Sequence, residues 1–440
     1  MKVLVLGSGG REHAILWALQ RTSPVPLDLY CAPGNGGISQ LAECVPIQLT
    51  DHPALIEFAR SHAIDLIVVG PEAPLAEGIV DEFERAGLRI MGPSRAASRL
   101  EASKAFAKDF MRRHAIPTAE YHIAGSATEA LEILRSGKFG AADAPVVLKA
   151  DGLAAGKGVV VAASRAEGER AINELTTGSL VSPEASRQLL IEEALSGKEV
   201  SILLFAAGRD YELMPPARDH KRVGENDTGP NTGGMGAITD PSIIDSETLE
   251  RIVREIVEPT LQGAIEEGFP FRGILFIGLM LTADGPKVLE YNVRFGDPET
   301  QAILVRLETD LLQIFQTIID GNLRDVNVEW SDRSSACVVL ASGGYPVAYE
   351  TGNTIDGLDA VVASADLQIF HAGTSRGEAD EFLTAGGRVL GVTSAAQSLD
   401  EALKRCYDTV AKVSWNGMQY RRDIGRFNEE EKASSSEFKL

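Results

Sequence analysis

Apolar positions along the chain fall into short unbroken runs that alternate with stretches of 3.6-residue period, the pattern of buried strands joined by amphipathic helices. Residues 2–6, 64–69 and 88–91 read as strands, and 12–20, 75–86 and 95–113 as helices, which together predict a parallel sheet. A compact α/β segment follows. Its strands are expected at 120–123, 145–148, 158–162 and 189–192, its helices at 128–134 and 166–175, and the stretch 118–191 reads as a mobile lid. Further on, the pattern predicts a helix over 246–267, a hairpin of strands 273–281 and 286–292, and a last unit from about 329 with strands at 337–341 and 389–392 and a helix over 398–413. The Glu-, Ser- and Lys-rich end, 426–440, reads as a disordered tail.

Between the strands at 145–148 and 158–162 lies KADGLAAGKGVV. Gly152, Gly156 and Gly158 let backbone N–H groups approach a bound group, while Lys149 and Lys157 add point charges, a combination suited to polyphosphate. A plain structural hairpin with solvated lysines is the alternative. The stretch is not a P-loop, because the glycine spacing is one residue short and no Ser or Thr follows Lys157.

The first strand runs into Gly7, Ser8, Gly9 and Gly10, a turn and helix start at which Gly10 and Arg11 suit a phosphate monoester, or which serve as a tight turn alone. Glu12 stands where a dinucleotide fingerprint needs its third glycine. Glu72, after the strand at 64–69, faces the same crevice because ligand loops lie at the carboxyl ends of parallel strands. Lys104 and Lys108 read as solvated helix charges or, for Lys104, as a ligand. Glu192 and Glu193 end a strand where they either meet a base or ribose or stand as exposed strand-end acids, the commoner case. The run Asp219, His220, Lys221, Arg222 and the sequence NDTGPNTGGMG after it predict an ordered, shaped loop rather than a helix or central strand, with Asn231 or Thr232 placed to bind a carboxylate.

In LEYNVRFGDPET, the strand period of two puts Glu290 and Asn292 on one face, with Arg294 following. Carboxylate, amide oxygen and guanidinium on one side suit Mg²⁺ bridged to phosphate; a Glu290–Arg294 salt bridge is the competing reading. His371 reads as a packed or surface histidine.

Composition narrows the classes. With 42 Lys and Arg against 63 Asp and Glu, the formal charge of −21 excludes general affinity for nucleic acid or anionic membrane, and any anionic ligand needs local cations. No apolar run approaches a membrane span of roughly 20 residues, and four scattered cysteines form no metal or disulfide pattern, so a reduced, cytoplasmic setting is expected.

Taken together, VLGSGGREHA, VVGPEAPL, KADGLAAGKGVV, DHKRVGENDTGPNTGGMGA and EYNVRFGDPETQ, in this order, resemble the glycinamide ribonucleotide synthetase family of the ATP-grasp superfamily, from Met1 to about Gly425. The resemblance implies an α/β ATP-grasp fold: an N-terminal parallel-sheet domain (1–103), an ATP-grasp region (104–328) carrying the lid, and a small C-terminal domain (329–425). It implies ligation of glycine to 5-phosphoribosylamine with ATP and Mg²⁺ or Mn²⁺, by a monomer with neither nucleic-acid nor membrane partners. Lys104, Lys149 and the glycine hairpin would contact ATP, Glu192, Glu193, Ala194 and Leu195 would border adenine, and Glu199 would reach the ribose. Glu290 and Asn292 match the family's metal ligands. Arg294, Asp219, Lys221 and Asn231 would surround the transferred phosphate and glycine, with Gly10, Arg11, Glu72, Gly296 and Asp297 at the substrates. Two positions depart from the superfamily: the strand at 273–282 holds no acid, and Ala194 stands where an aromatic is common. A nicotinamide dehydrogenase, a silent nucleotide sensor and a bicarbonate-using carboxylase are the rival readings.

Overall fold

The structure is a computed structural model and describes residues 1–153, 158–177 and 188–426. Gly156, Lys157 and the tail from 427 onward lie outside the described residues. The N-terminal sheet has five parallel strands in the order Glu43–Cys44, Asp28–Pro33, Lys2–Gly7, Leu66–Val69, Ile90–Met91. Strand order reverses between Lys2–Gly7 and Leu66–Val69, so their carboxyl ends open on a crevice. Glu12 explains the missing third glycine. Its side chain lies over Gly7, where a Cβ would come within 2.5 Å of it, and its carboxylate accepts the Gly9 N–H at 2.6 Å at the start of helix Gly10–Thr22.

Two predicted helices are broken. Gly78, at φ 95°, ends Glu72–Glu77 before Ile79–Arg85 begins. Ser103, in extended conformation, separates Arg95–Ala102 from Lys104–Arg113. Its hydroxyl accepts the Phe106 N–H and donates to Asp151, whose other oxygen takes the Ala105 N–H at 3.1 Å. A hairpin residue thus caps the second helix.

The lid is a four-stranded antiparallel sheet, ordered Tyr121–Ala124, Leu189–Glu193, Val146–Ala150, Val159–Ala162, with helices Ala127–Arg135 and Arg165–Thr176 packed on it. Leu134, Leu148, Ile172, Leu175 and Ile191 close a core of their own. Separate burial of this kind lets a unit move as a body.

Among the described residues, nine of the remaining strands form one sheet, and the other four make two small hairpins. Along it run Gly285–Asn292, Arg272–Thr282, Lys198–Ala207, Ala217–Asp219, Gly236–Thr239, Ser334–Ala341, Arg388–Ala396 and Leu367–His371, and Asp210–Leu213 pairs with Lys198–Ala207. Three expectations change here. The last unit shares this sheet with the ATP-grasp region, because Gly236–Thr239 pairs with Ser334–Ala341. The same pairing makes the end of the Gly- and Asn-rich stretch a central strand, and Thr228–Asn231 forms a small hairpin with Arg222–Gly224. The helix over 246–267 is Ser246–Ile252 and Glu258–Glu266 joined by a π-type turn, Val253–Val257, beside Pro259, which lacks the N–H that would continue the regular ladder.

Candidate functional site

The cleft lies between the lid hairpin and the edge hairpin of the nine-stranded sheet. Lys149, on Val146–Ala150, is 5% exposed; its Nζ donates to Leu289 O at 3.1 Å and sits 3.0 Å from Glu192 Oε2. The same carboxylate oxygen lies 3.0 Å from Lys108 Nζ. Lys108, expected as a solvated helix charge, is instead 2% exposed and also donates to Thr118 Oγ1, and burial pulls its ammonium down to about 8. Glu192 therefore fixes a pair of buried lysines, and its second oxygen has no hydrogen-bond partner among the described residues. Lys104 donates to Gly152 O at 2.8 Å, with its pKa lowered by burial against the attraction of Glu290. Gly152 sits at φ 111°, a turn that only glycine accepts cheaply. Gly158 is buried and accepts the Ala150 N–H.

On the facing strand, Glu290 and Asn292 share a side as the period of two predicts, and Glu290 lies opposite Gly278. A Cβ on Gly278 would stand 3.3 Å from the Glu290 Cγ, so the acid-free strand leaves room for that carboxylate. Burial opposes ionisation of Glu290, but Lys221, Lys149, Lys104 and Arg294 together hold it below the usual range. Arg294 does not pair with Glu290. Its Nε lies 3.2 Å from Glu72 Oε2, its Nη2 lies 2.9 Å from Glu101 Oε1, and the same Nη2 donates to Asn292 Oδ1 at 3.3 Å. Lys221 bonds Glu199 and comes within 4.0 Å of Glu290, and its pKa is held well above normal by Glu199 and Asp219, against the pull of burial. Asp219 ends its strand beside this pair, and burial raises its carboxyl.

Lys104, Lys149, Lys221, Arg294, Glu199, Asp219, Glu290 and Asn292 thus share one charged cleft. Asn231 ends the strand that leads to it, and Thr232 donates its hydroxyl to Lys221 O. Glu193 instead faces the lid rim, bonded to Lys287 and the Glu120 N–H, with half-buried Ala194 and Leu195 after it. In the N-terminal crevice Arg11 is 7% exposed, pairs with Glu12 at 2.6 Å and donates to Phe295 O at 3.1 Å. Gly10 is needed for close approach, since a Cβ there would lie 2.7 Å from Gln301 Nε2. Gly296 and Asp297 follow Phe295, and Asp297 pairs with Arg388 at 3.0 Å. Glu101, Glu299 and Arg388 escaped the sequence reading. Glu299 is 4% exposed with its carboxyl raised by burial and by Asp219. Its place two residues after Asp297 in GDPET was the one available signal.

Among the described residues no group of three His, Cys, Asp or Glu side chains has metal-binding geometry. A divalent cation here would take Glu290 and Asn292, a hard oxygen pair that suits Mg²⁺ or Mn²⁺, and complete its shell from phosphate and water.

Family models for phosphoribosylglycinamide synthetase match the chain in three consecutive parts: the N domain over residues 1–101, the ATP-grasp (A) domain over 102–300 and the C domain over 335–427. A phosphoribosylamine--glycine ligase of Brucella melitensis biotype 1 is 46% identical over 435 residues, 99% of this chain and 100% of that protein. One from Vibrio cholerae serotype O1 is 46% identical over 428 residues, 97% of this chain and 98% of its own. The crystal structure of phosphoribosylamine--glycine ligase from Thermotoga maritima matches with TM-score 0.82 and 34% identity, over 96% of this chain and all of that one. A biotin carboxylase from Campylobacter jejuni, 13% identical at TM-score 0.70 over 95% of this chain and 92% of its own, shares the fold.

Proposed function

The chain belongs to the phosphoribosylglycinamide synthetase family and is an ATP-grasp carbon–nitrogen ligase of purine biosynthesis, and we propose that the cleft between Lys149 and Arg294 is where it joins glycine to 5-phosphoribosylamine. The observation that carries this reading is the meeting of Lys149, Lys104, Lys221 and Arg294 around Glu290 in a chain of charge −21. Such local concentration of cations suits a triphosphate.

An amine does not displace oxide from a carboxylate, so the acid must first be activated. Glycine's carboxylate attacks the γ-phosphate of ATP, giving ADP and glycyl phosphate. The 1-amino group of 5-phosphoribosylamine then attacks the acyl carbon, and phosphate leaves with the bonding pair. Lys149 and Lys104, both fixed through backbone carbonyls, hold the phosphates, and Arg294, clamped by two carboxylates, meets charge developing on the transferred group. Glu290 and Asn292 would hold Mg²⁺, which would supply neutralisation of phosphate charge. Asp219, Lys221 and Asn231 orient glycine, while Gly10, Arg11, Glu72, Gly296 and Asp297 line the phosphoribosylamine end. Glu192, Glu193, Ala194, Leu195 and Glu199 run along the adenosine side. No side chain acts as a nucleophile; orientation of the partners is worth about 7–11 kcal/mol. The lid excludes water from the acyl phosphate.

We place the enzyme in the cytoplasm as a monomer acting on small molecules. The four unpaired cysteines support the reducing compartment, and no described helix is long and apolar enough to cross a membrane. A coupled assay for ADP, omitting each substrate in turn, tests the activity. ADP formation that requires both glycine and 5-phosphoribosylamine is expected; ADP formation driven by bicarbonate instead would contradict it.

A further inference from the structure

Two segments of the site owe their spacing to a side chain from the C-terminal part of the sheet. Residues 232–235 link two strands, and 296–298 turn the chain between strand Gly285–Asn292 and helix Glu299–Leu304. Where they meet they share no strand pairing. Arg388, the first residue of Arg388–Ala396, bridges them: Nη1 donates to Gly233 O and to Asp297 O, each at 2.7 Å, and Nη2 donates to Asp297 Oδ2 at 3.0 Å. From the same unit the Tyr345 hydroxyl accepts the Gly233 N–H at 3.1 Å.

The fit is close. A Cβ on Gly233 would stand 3.1–3.3 Å from the guanidinium, and one on Gly234, at φ 112°, would meet Pro298 Cδ at 2.5 Å. The loop backbone therefore lies against both the fork and the proline ring. A planar guanidinium serves two carbonyls and a carboxylate at once, which the single point of a lysine ammonium cannot do. With side chains 21% and 18% exposed, Arg388 and Asp297 are shielded from the screening that makes surface pairs dispensable. None of these bonds reaches Lys104, Lys149 or the lid hairpin.

Resting on the assignment of the Asn231 loop to glycine, we propose that Arg388, assisted by Tyr345, is a positioning residue that sets the gap between this loop and the Asp297 turn and so governs affinity for the amino acid rather than for ATP. The C-terminal part of the sheet then contributes to specificity without touching a substrate.

Steady-state kinetics of Arg388→Lys, Arg388→Ala and Tyr345→Phe, with each substrate varied in turn, test this. For Arg388→Lys the KM for glycine is expected to rise roughly 10- to 100-fold, the loss of charge-assisted hydrogen bonds, with the KM for ATP within about twofold of the parent. Tyr345→Phe is expected to raise the glycine KM by roughly threefold or more, from one lost neutral hydrogen bond, without disturbing the fold. Guanidinium ion added to Arg388→Ala should restore part of the lost glycine affinity. Unchanged glycine KM in folded variants, an equal rise for all three substrates, or a rise confined to phosphoribosylamine would each overturn the proposal. Should the Arg388 variants not fold, Tyr345→Phe decides by the same criterion. A parent enzyme with no glycine-dependent ADP formation would instead overturn the reading of the site itself.

Discussion

Arg294 and Glu101 form a largely buried ion pair in the cleft, Nη2 to Oε1 at 2.9 Å, while the other Glu101 oxygen accepts the N–H of Val293 at 2.7 Å. One carboxylate thus fixes both the guanidinium and the backbone beside it. Burial pushes the Glu101 carboxyl up to about 7, against the pull of Arg294. Glu101→Gln keeps the shape and removes the charge, leaving Glu72 as the remaining carboxylate on Arg294. Turnover is expected to fall roughly 10- to 100-fold, with the melting temperature within a few degrees of the parent. Unaltered turnover would show that Arg294 does not need this anchor.

In the proposed mechanism, Lys149 and Arg294 meet charge that grows as the γ-phosphate is transferred. Replacing either by methionine should lower kcat by roughly 10²–10³, the scale for a lost oxyanion donor. Parent-like kcat in both variants would remove them from the chemistry.

The Lys108–Glu192–Lys149 cluster is buried, so breaking it exposes the desolvation cost of its charges. Glu192→Gln leaves two ammonium groups facing each other without a carboxylate. A loss of about 3–5 kcal/mol in urea unfolding is expected. A loss under about 1 kcal/mol, the range of exposed pairs, would contradict this account.

Stability should fall in acid through histidines buried in the neutral form. His13, on the first helix, accepts the His371 N–H at 2.9 Å from the last strand of the large sheet, so the pair joins the N-terminal unit to the C-terminal one. Desolvation lowers His13 to about 4 and His371 to about 3. Because the folded values lie below the unfolded one near 6.5, the unfolded chain takes up protons first. This stabilisation is full above pH 6.5 and is lost as the pH drops toward 4 and 3. At pH 5 the loss is about 2 kcal/mol per histidine. Between pH 7.5 and 5.0 the urea midpoint of His371→Asn should gain on that of the parent, because the raised Glu101 and Glu299 carboxyls, which favour the fold as they protonate, act alike in both; equal slopes would refute the assignment.

The legible parts of the molecule were those whose signal is local. The strands flanking the glycine hairpin follow from apolar runs, and the shared face of Glu290 and Asn292 follows from the period of two. Glu101 was hidden because 193 residues separate it from Arg294 and it ends an ordinary amphipathic helix. Lys108 looked solvated because its carboxylate partner comes from the lid, across a different sheet. The break at Ser103 depends on Asp151, and the fusion of the last unit into the large sheet depends on one pairing, Gly236–Thr239 with Ser334–Ala341. In each case the deciding contact spans elements that sequence periodicity treats separately.

The measurement that bears most directly on the central claim is a crystal structure grown with a non-hydrolysable ATP analogue and Mg²⁺. The account predicts the triphosphate between the hairpin of Lys149 and the strand of Glu290, with the metal on Glu290 and Asn292 and the γ-phosphate beside Arg294. A nucleotide bound elsewhere, with the Lys149–Arg294 cleft closed by its own side chains, would contradict it.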